Sequence, residues 1–422
     1  MGLVADYLQK QPDFKPRISK PPDNNLGYIV VVPCNNEKEI ITTIESLWNC
    51  ERPQKSIELI IVVNSSVGAE DSVLRQNATS IEQILDWQVK HDVNDFRVHV
   101  ITEKNIPMKY AGPGLARKIG MDEAAFRFGL TEKGIGIICS FDADTTCEKN
   151  YFVEIEEKIY QNPEIEAGSI YFEHPVSGTQ FPEEVYKAIS LYELNMRYYL
   201  QALRSTGFPY AHHTLGSAFF VGSDAYARFG GMNRRKGGED FYFLQKVIPN
   251  VTFIDMVSTK VIPSPRPSNR VPFGTGPWIY KYINKEIDTY YTYNLKSFND
   301  LKDFFVTIPE MYDSGAIELK LNYHSIPNSL KDFLPEDEFV RKMEEIQENS
   351  SHPVSFKKRF YSWFNGFKII KYLNYIHLNY YERVDVLNEA GNYLREVQEV
   401  KDGPLGLSEM LSHYRKMERE IS

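Results

Sequence analysis

The chain has 422 residues, enough for one large catalytic domain with a smaller one attached, and its 42% hydrophobic and 25% charged content is ordinary for a globular protein. A net charge of -9 argues against the basic surface with which a nucleic-acid binder displaces counterions, so no nucleic-acid partner is expected. No stretch reaches the roughly 18 apolar residues that span a bilayer, and the start, MGLVADYLQKQPDFKPR, has neither the apolar core of a secretory signal nor, with Asp6 at position 6, a myristoylation pattern; a cytoplasmic protein is the expectation.

Residues 1–26 are polar and carry Pro12, Pro16, Pro21 and Pro22, which reads as an arm laid over the surface. The pattern then changes. YIVVVP, Tyr28 to Pro33, is a continuous apolar run ending at a turn, and Ile40, Ile44, Leu47 and Trp48 follow at helical spacing. The alternation continues with a strand from Leu59 to Val63, a helix around Ile81 to Val89, a strand from Phe96 to Thr102 and a helix from Leu115 to Phe128. A strand from Ile135 to Phe141 and a helix from Tyr151 to Tyr160 complete it. Strands buried on both faces and separated by helices predict an α/β fold with a mainly parallel sheet, whose ligands bind beyond the carboxyl ends of the strands. Residues 167 to 260 read as mixed, with the apolar run SAFFV and two short helical segments. From about 276 the chain reads as helical, charged and Tyr-rich. The Pro/Gly-rich segment 263–277 marks the boundary, giving an arm at 1–26, a catalytic domain at 27–275 and a helical domain at 276–422. The four cysteines, Cys34, Cys50, Cys139 and Cys147, form no C-x-x-C pair and are expected as reduced thiols.

Three segments carry candidate chemistry. Asp142-Ala143-Asp144 follows the apolar strand GIGIICSF, so its carboxylates sit at a strand end, where one or two such groups together with substrate phosphates hold Mg2+ or Mn2+. The competing reading is that Asp144 caps the next helix. Ala111-Gly112-Pro113-Gly114-Leu115-Ala116-Arg117 opens a helix with small residues and a cation, which suits an anion or is a plain helix start. Gly237-Gly238-Glu239-Asp240 places two acids at a glycine-hinged helix start, either as dipole partners or as a general base beside an acceptor hydroxyl.

In this order, VVPCNNEKEIITTIESL, LIIVVNSS, GPGLARKIGMDEA, FDADTTCEKNYF and GSAFFVGSDAYARFGGMNRRKGGEDFYF, the segments resemble glycosyltransferase family 2 with the GT-A fold, over roughly residues 27 to 262. The resemblance implies an α/β, Rossmann-like, mixed and mainly parallel sheet flanked by helices, with a C-terminal helical extension. It also implies transfer of a sugar, with inversion, from a nucleotide-diphospho-sugar donor, a UDP-sugar foremost, to an acceptor hydroxyl on a glycan, a lipid-linked molecule or a small molecule. Under it Pro33, Asn35 and Glu37 contact the base and ribose, and Arg117 lies beside the diphosphate. Asp142 and Asp144 hold the metal, Asp240 is the base and Glu239 supports it. The family usually has Val-Asp-Asp-Gly-Ser after its second strand. Here the run is Val63-Asn64-Ser65-Ser66, so an Asn64 amide faces the base in place of a carboxylate. The Q-x-x-R-W signature of processive enzymes is absent, which implies a non-processive one.

Arg266 and Arg270, among prolines and glycines, suit a lid that closes over the diphosphate, or else a solvated linker. His213, beside His212, is a candidate third metal ligand or a packed ring. In the tail, Phe356, Phe360, Trp363, Phe364 and Phe367 share one helical face beside Lys357, Lys358 and Arg359. That pattern fits docking core, or peripheral contact with the inner face of a membrane. Two rivals stand beside the transferase: a non-catalytic nucleotide-sugar binding module, against which the Glu239-Asp240 pair speaks, and a sugar-1-phosphate nucleotidyltransferase, which should open with a Gly-rich loop where this chain has PCNNE.

Overall fold

The protein is described by a computed structural model that covers residues 2–91, 93–131, 136–400 and 406–420. The chain divides into two compact units. The first holds the residues up to Phe181 and from His213 to Tyr280, and the second holds Pro182–His212 and Lys281–Glu420.

In chain order the elements are α1 (Leu3–Gln9), β1 (Leu26–Cys34), α2 (Ile40–Trp48), β2 (Ser56–Ser66), α3 (Asp71–Lys90), β3 (Phe96–Ile106), α4 (Pro113–Gly129), β4 (Ile137–Ser140), β5 (Thr146–Cys147), α5 (Tyr151–Gln161) and β6 (Ile165–Phe172). There follow α6 (Glu183–Ser205), β7 (Phe219–Gly222), α7 (Ser223–Arg228), α8 (Glu239–Val247) and β8 (Thr252–Ile262). Ile135, where the fourth strand was expected to begin, lies outside the described residues. The strands form one sheet of eight in the order β3-β2-β1-β4-β7-β6-β8-β5. β1 pairs in parallel with β2 and with β4, β2 with β3, and β6 with β8, while β7 runs antiparallel to both its neighbours. A mixed, mainly parallel sheet flanked by helices, with a C-terminal helical region, is the α/β GT-A architecture that the resemblance implied.

The central strands β1 and β2 form because their residues are mostly β-branched and aliphatic and are covered on both faces. Ile29 to Val32 are fully buried, as are Leu59 to Val62, and the two runs lie side by side in register. Helix α4 covers β1 and β2 through Gly120, where a Cβ would collide with Val31. The order reverses at β1: β2 and β3 extend to one side of it and β4 lies on the other. That is the topological switch point of an open α/β sheet, where the crevice beyond the strand ends receives ligands.

Two expectations need correction. The N-terminal arm is not only a surface strap: it contains α1, whose Tyr7 and Leu8 are buried, and the Tyr7 hydroxyl donates to Asp122 at 2.7 Å. Residues 167 to 260 hold more than short helical segments, since α6 runs for 23 residues. Of the aromatic stripe of the tail, Phe356, Phe360 and Phe364 are buried within the second unit, where the Phe360 ring stacks on Phe364, as the docking-core alternative expects, while Trp363 and Phe367 are half-buried. Among the described residues no helix is long and apolar enough to cross a membrane.

Candidate active site

The β4 strand ends at Ser140, and the Thr145 backbone N–H donates to the Asp142 carbonyl at 3.1 Å, which holds Asp142 and Asp144 in a turn at the switch point. Asp144 does not cap the following helix; Asn150 holds that position before α5. On the other side of the switch point, β1 runs out through Pro33, half-buried opposite Val62, into the turn Asn35-Asn36-Glu37. Asn36 adopts φ +53°, a left-handed conformation that asparagine tolerates, and its N–H donates to the Asn77 side chain at 2.7 Å. The Asn77 amide in turn donates to the carbonyl of buried Asn64, at 3.1 Å. The side-chain amide of Asn64 makes no hydrogen bond among the described residues.

Two guanidiniums organise the acids. Arg117, on the first turns of α4 and almost wholly buried, donates through one terminal nitrogen to Glu239 and through the other to Asp142. Its Nε donates to Ser140 Oγ at 3.2 Å, and that hydroxyl donates to the Gly216 carbonyl at 2.6 Å. Gly216 lets the backbone pass close to both groups, since a Cβ there would lie 2.7 Å from Arg117 Nη2 and 2.9 Å from Asp240 Oδ2 and would force these side chains to shift. Gly112 and Gly114 let the start of α4 approach Arg235, Lys236 and Glu239, so these small residues make room for the acid-bearing loop. Gly238, at φ +69°, turns the chain into α8, which presents Glu239 and Asp240 in its first turn.

The second guanidinium is Arg266. Its Nη1 and Nη2 reach Glu37 at 2.9 and 2.6 Å, and Nη2 reaches Asp144 at 2.9 Å. Its Nε, shut off from solvent, has no acceptor among the described residues. Buried Glu37 also accepts from the backbone N–H of Lys38 at 2.9 Å and of Glu39 at 3.2 Å, and Arg270 donates to the Asn35 carbonyl at 2.5 Å. The Pro/Gly-rich segment therefore reaches the strand-end acids in this structure.

The electrostatics follow from this crowding. The Asp240 carboxyl is half-buried and pushed up to about 7, first by desolvation and then by the charge of Glu239, with Arg117 opposing. Asp144 is pushed up to about 6 by desolvation; Arg266 opposes this, and Asp142 and Glu37 add to it. Burial pushes the nearby Cys34 thiol up to about 12, which keeps it protonated; all four cysteines are free thiols.

Glu37, Asp142, Asp144, Glu239 and Asp240 are set against Arg117, Arg266 and Arg270, an excess of acid that a divalent cation would balance. Asp142 Oδ2 and Asp144 Oδ1 accept no hydrogen bond among the described residues, so both carboxylates keep a free oxygen. Two carboxylates with phosphate oxygens and water suffice for Mg2+ or Mn2+, and the residues present fit that group. His213 packs edge-on against Phe172, with ring centroids 4.9 Å apart. Among the described residues no three His, Cys, Asp or Glu side chains gather as a metal cage.

No family model and no curated protein matches the sequence. Among solved structures the chain is similar to Staphylococcus aureus TarS 1–349 in complex with UDP-GlcNAc, at 14% identity over 80% of this chain and 91% of that one, with a TM-score of 0.41. It is also similar to GalNAc-T7 with UDP, GalNAc and Mn2+, at 15% identity over 76% and 58% of the two chains, TM-score 0.37. A third is the mannosyltransferase PcManGT from Pyrobaculum calidifontis in complex with GDP-Man and Mn2+, at 13% identity over 99% and 93%, TM-score 0.39.

Ser140 and Gly216 escape sequence reading. Each is a small residue inside or beside an apolar run, and its value lies in a partner far along the chain.

Proposed function

We propose that the first unit is an inverting, non-processive glycosyltransferase that moves a sugar from a nucleotide diphosphate donor, a UDP-sugar foremost, to an acceptor hydroxyl. The observation that carries this reading is the Arg117 bridge. It ties Asp142, of the strand-end pair, to Glu239, the neighbour of a carboxyl whose affinity for protons is raised to the range useful for a base near neutral pH.

In this reading Asp240 takes the proton of the acceptor hydroxyl as that oxygen attacks the anomeric carbon from the face opposite the leaving diphosphate. One C–O bond forms, the other breaks, and the configuration inverts. The Asp240 carboxylate accepts from the Phe241 backbone N–H at 2.8 Å, Glu239 would support it as its neighbour in the pair, and Arg117 lies close enough to oppose the charge of both. Arg117 is bonded to two acids, which suits a positioning role better than direct contact with the diphosphate. Asp142 and Asp144 would hold Mn2+ or Mg2+ together with phosphate oxygens and water, whereas His213, read from the sequence as a candidate third ligand, packs on Phe172 and does not gather with them among the described residues. When bound, that ion would neutralise charge on the leaving diphosphate. Arg266, with its unused Nε, and Arg270 suit phosphate oxygens, while Pro33, Asn35, Glu37 and the free amide of Asn64 suit the nucleoside.

The non-catalytic binding module is the second reading, because arginines engage both acids of the Asp142–Asp144 pair. Incubation with a panel of UDP-sugars and Mn2+ separates the two. The transferase reading expects turnover and, with an α-linked donor, a β-linked product by NMR. An α product would refute the single displacement, and tight donor binding without turnover would favour the module.

A further inference from the structure

A cavity of about 320 Å³ opens beside the carboxyl end of β3, lined by the N-terminal arm, by the end of β3, by α4 and by Arg234. It shares none of the carboxylates of the candidate active site. Its floor is apolar, supplied by Phe14, Ile106, Leu115 and Ile119.

The rim is charged, and most of the charges are already matched. Arg17 pairs with Glu103, Arg234 with Asp13 at 2.6 Å, and Lys118 with Asp122 at 2.9 Å. Lys15 and Lys104 remain; both are exposed, and neither has an acidic partner among the described residues. The lining is thus positive by these two lysines, in a chain whose net charge is -9.

The strand is bent where Lys104 meets the cavity. Asn64 pairs with Glu103 but Ser66 with Ile106, so β3 carries an extra residue, and Asn105 takes φ +59°. A bulge of this kind re-aims side chains and is common beside functional sites.

We infer that this cavity is a binding site for a small organic anion with an apolar body, which lays that body on Phe14, Leu115 and Ile119 and its charge against Lys15 and Lys104. An apolar floor with charges that fix a ligand's orientation is a form that small-molecule sites take, and here two of the rim's charges are unmatched. The site is independent of the sugar-transfer reading.

The test uses the full chain and anilinonaphthalene sulfonate, an aromatic body with one anionic group that fluoresces when shielded from water. Titration should give one saturable site. The double charge reversal Lys15→Glu with Lys104→Glu touches only exposed side chains and should weaken binding about tenfold, the effect expected of charge pairs near a protein surface. Uncharged phenylnaphthylamine should bind the unaltered protein about tenfold more weakly than the sulfonate, and should not respond to the charge reversal. Ile119→Trp, which fills the floor, should abolish the signal; if circular dichroism finds that variant unfolded, the charge-reversed protein still decides. Unchanged affinity for the sulfonate in the charge-reversed protein, or a neutral analogue bound as tightly as the anion, would overturn the inference.

Discussion

Two guanidiniums hold the carboxylates of the first unit, and they differ in what carries them. Arg117 rises from a helix packed on the central strands, is 4% exposed at its side chain and bridges Glu239 and Asp142. Arg266 comes from a segment with no regular structure between β8 and the next helix, is 24% exposed, and bridges Glu37 and Asp144. The chemistry is the same, one fork across two acids, but one fork is carried by a buried helix and the other by a partly exposed segment without regular structure. The comparison teaches that the acids beside Asp240 are tied to the core of the sheet, whereas those at the Asp144 end are tied to an irregular segment, which under the proposed function would be the end that changes when donor and metal bind.

The largest expected difference is in stability. Arg117→Ala strands a buried Glu239 and should cost about 3–5 kcal/mol in chemical denaturation. Arg266→Ala should cost less, about 1–2 kcal/mol, because Glu37, though buried, keeps its two backbone donors and the neighbouring Arg270 guanidinium at 3.7 Å. Similar losses from the two variants would break the distinction between the two forks.

A smaller effect is expected at Asp144. In Asp144→Asn, the gain in donor affinity that Mn2+ confers should disappear from calorimetric titrations, while binding without metal persists. A retained metal dependence would place the ion elsewhere.

The pH dependence sharpens the comparison from the side of the fixed acids. The folded-state value of Asp240, about 7, lies above the ordinary range of an unfolded carboxyl. The folded protein therefore holds this proton more tightly, and the stability so gained is full below the unfolded value and lost as pH rises through about 7. Asp240→Asn stays neutral, so its melting temperature should exceed that of the unaltered protein by more at pH 8 than at pH 5. An equal difference at both pH values would contradict the raised proton affinity.

The sheet was legible because YIVVVP, LIIVV and GIGIICSF are continuous apolar runs between turn residues, too short for helices and covered on both faces once folded. The placing of Asp142, Asp144, Glu239 and Asp240 at element ends was legible for the same reason. Helix α6 was not, because Glu193 and Arg197 are buried on it as an ion pair at 2.8 Å and interrupt the apolar period. The tail stripe was legible as amphipathic, with docking core one of two readings, since an apolar face reads alike whether it meets protein or lipid. Least legible were the partners. Nothing local in the sequence links Arg117 to Glu239, or Arg266 to Glu37, because those pairs exist only once the sheet has brought distant turns together.

The most direct measurement is transfer by Asp240→Asn, with donor affinity followed in parallel. The substitution keeps the shape of the side chain and removes its basicity. A positioned base contributes about 100-fold to 10,000-fold in rate, so turnover should fall by that amount with donor binding intact. A variant that keeps more than about half of the activity, against the 100-fold or greater loss expected of a missing base, would contradict the assignment of Asp240.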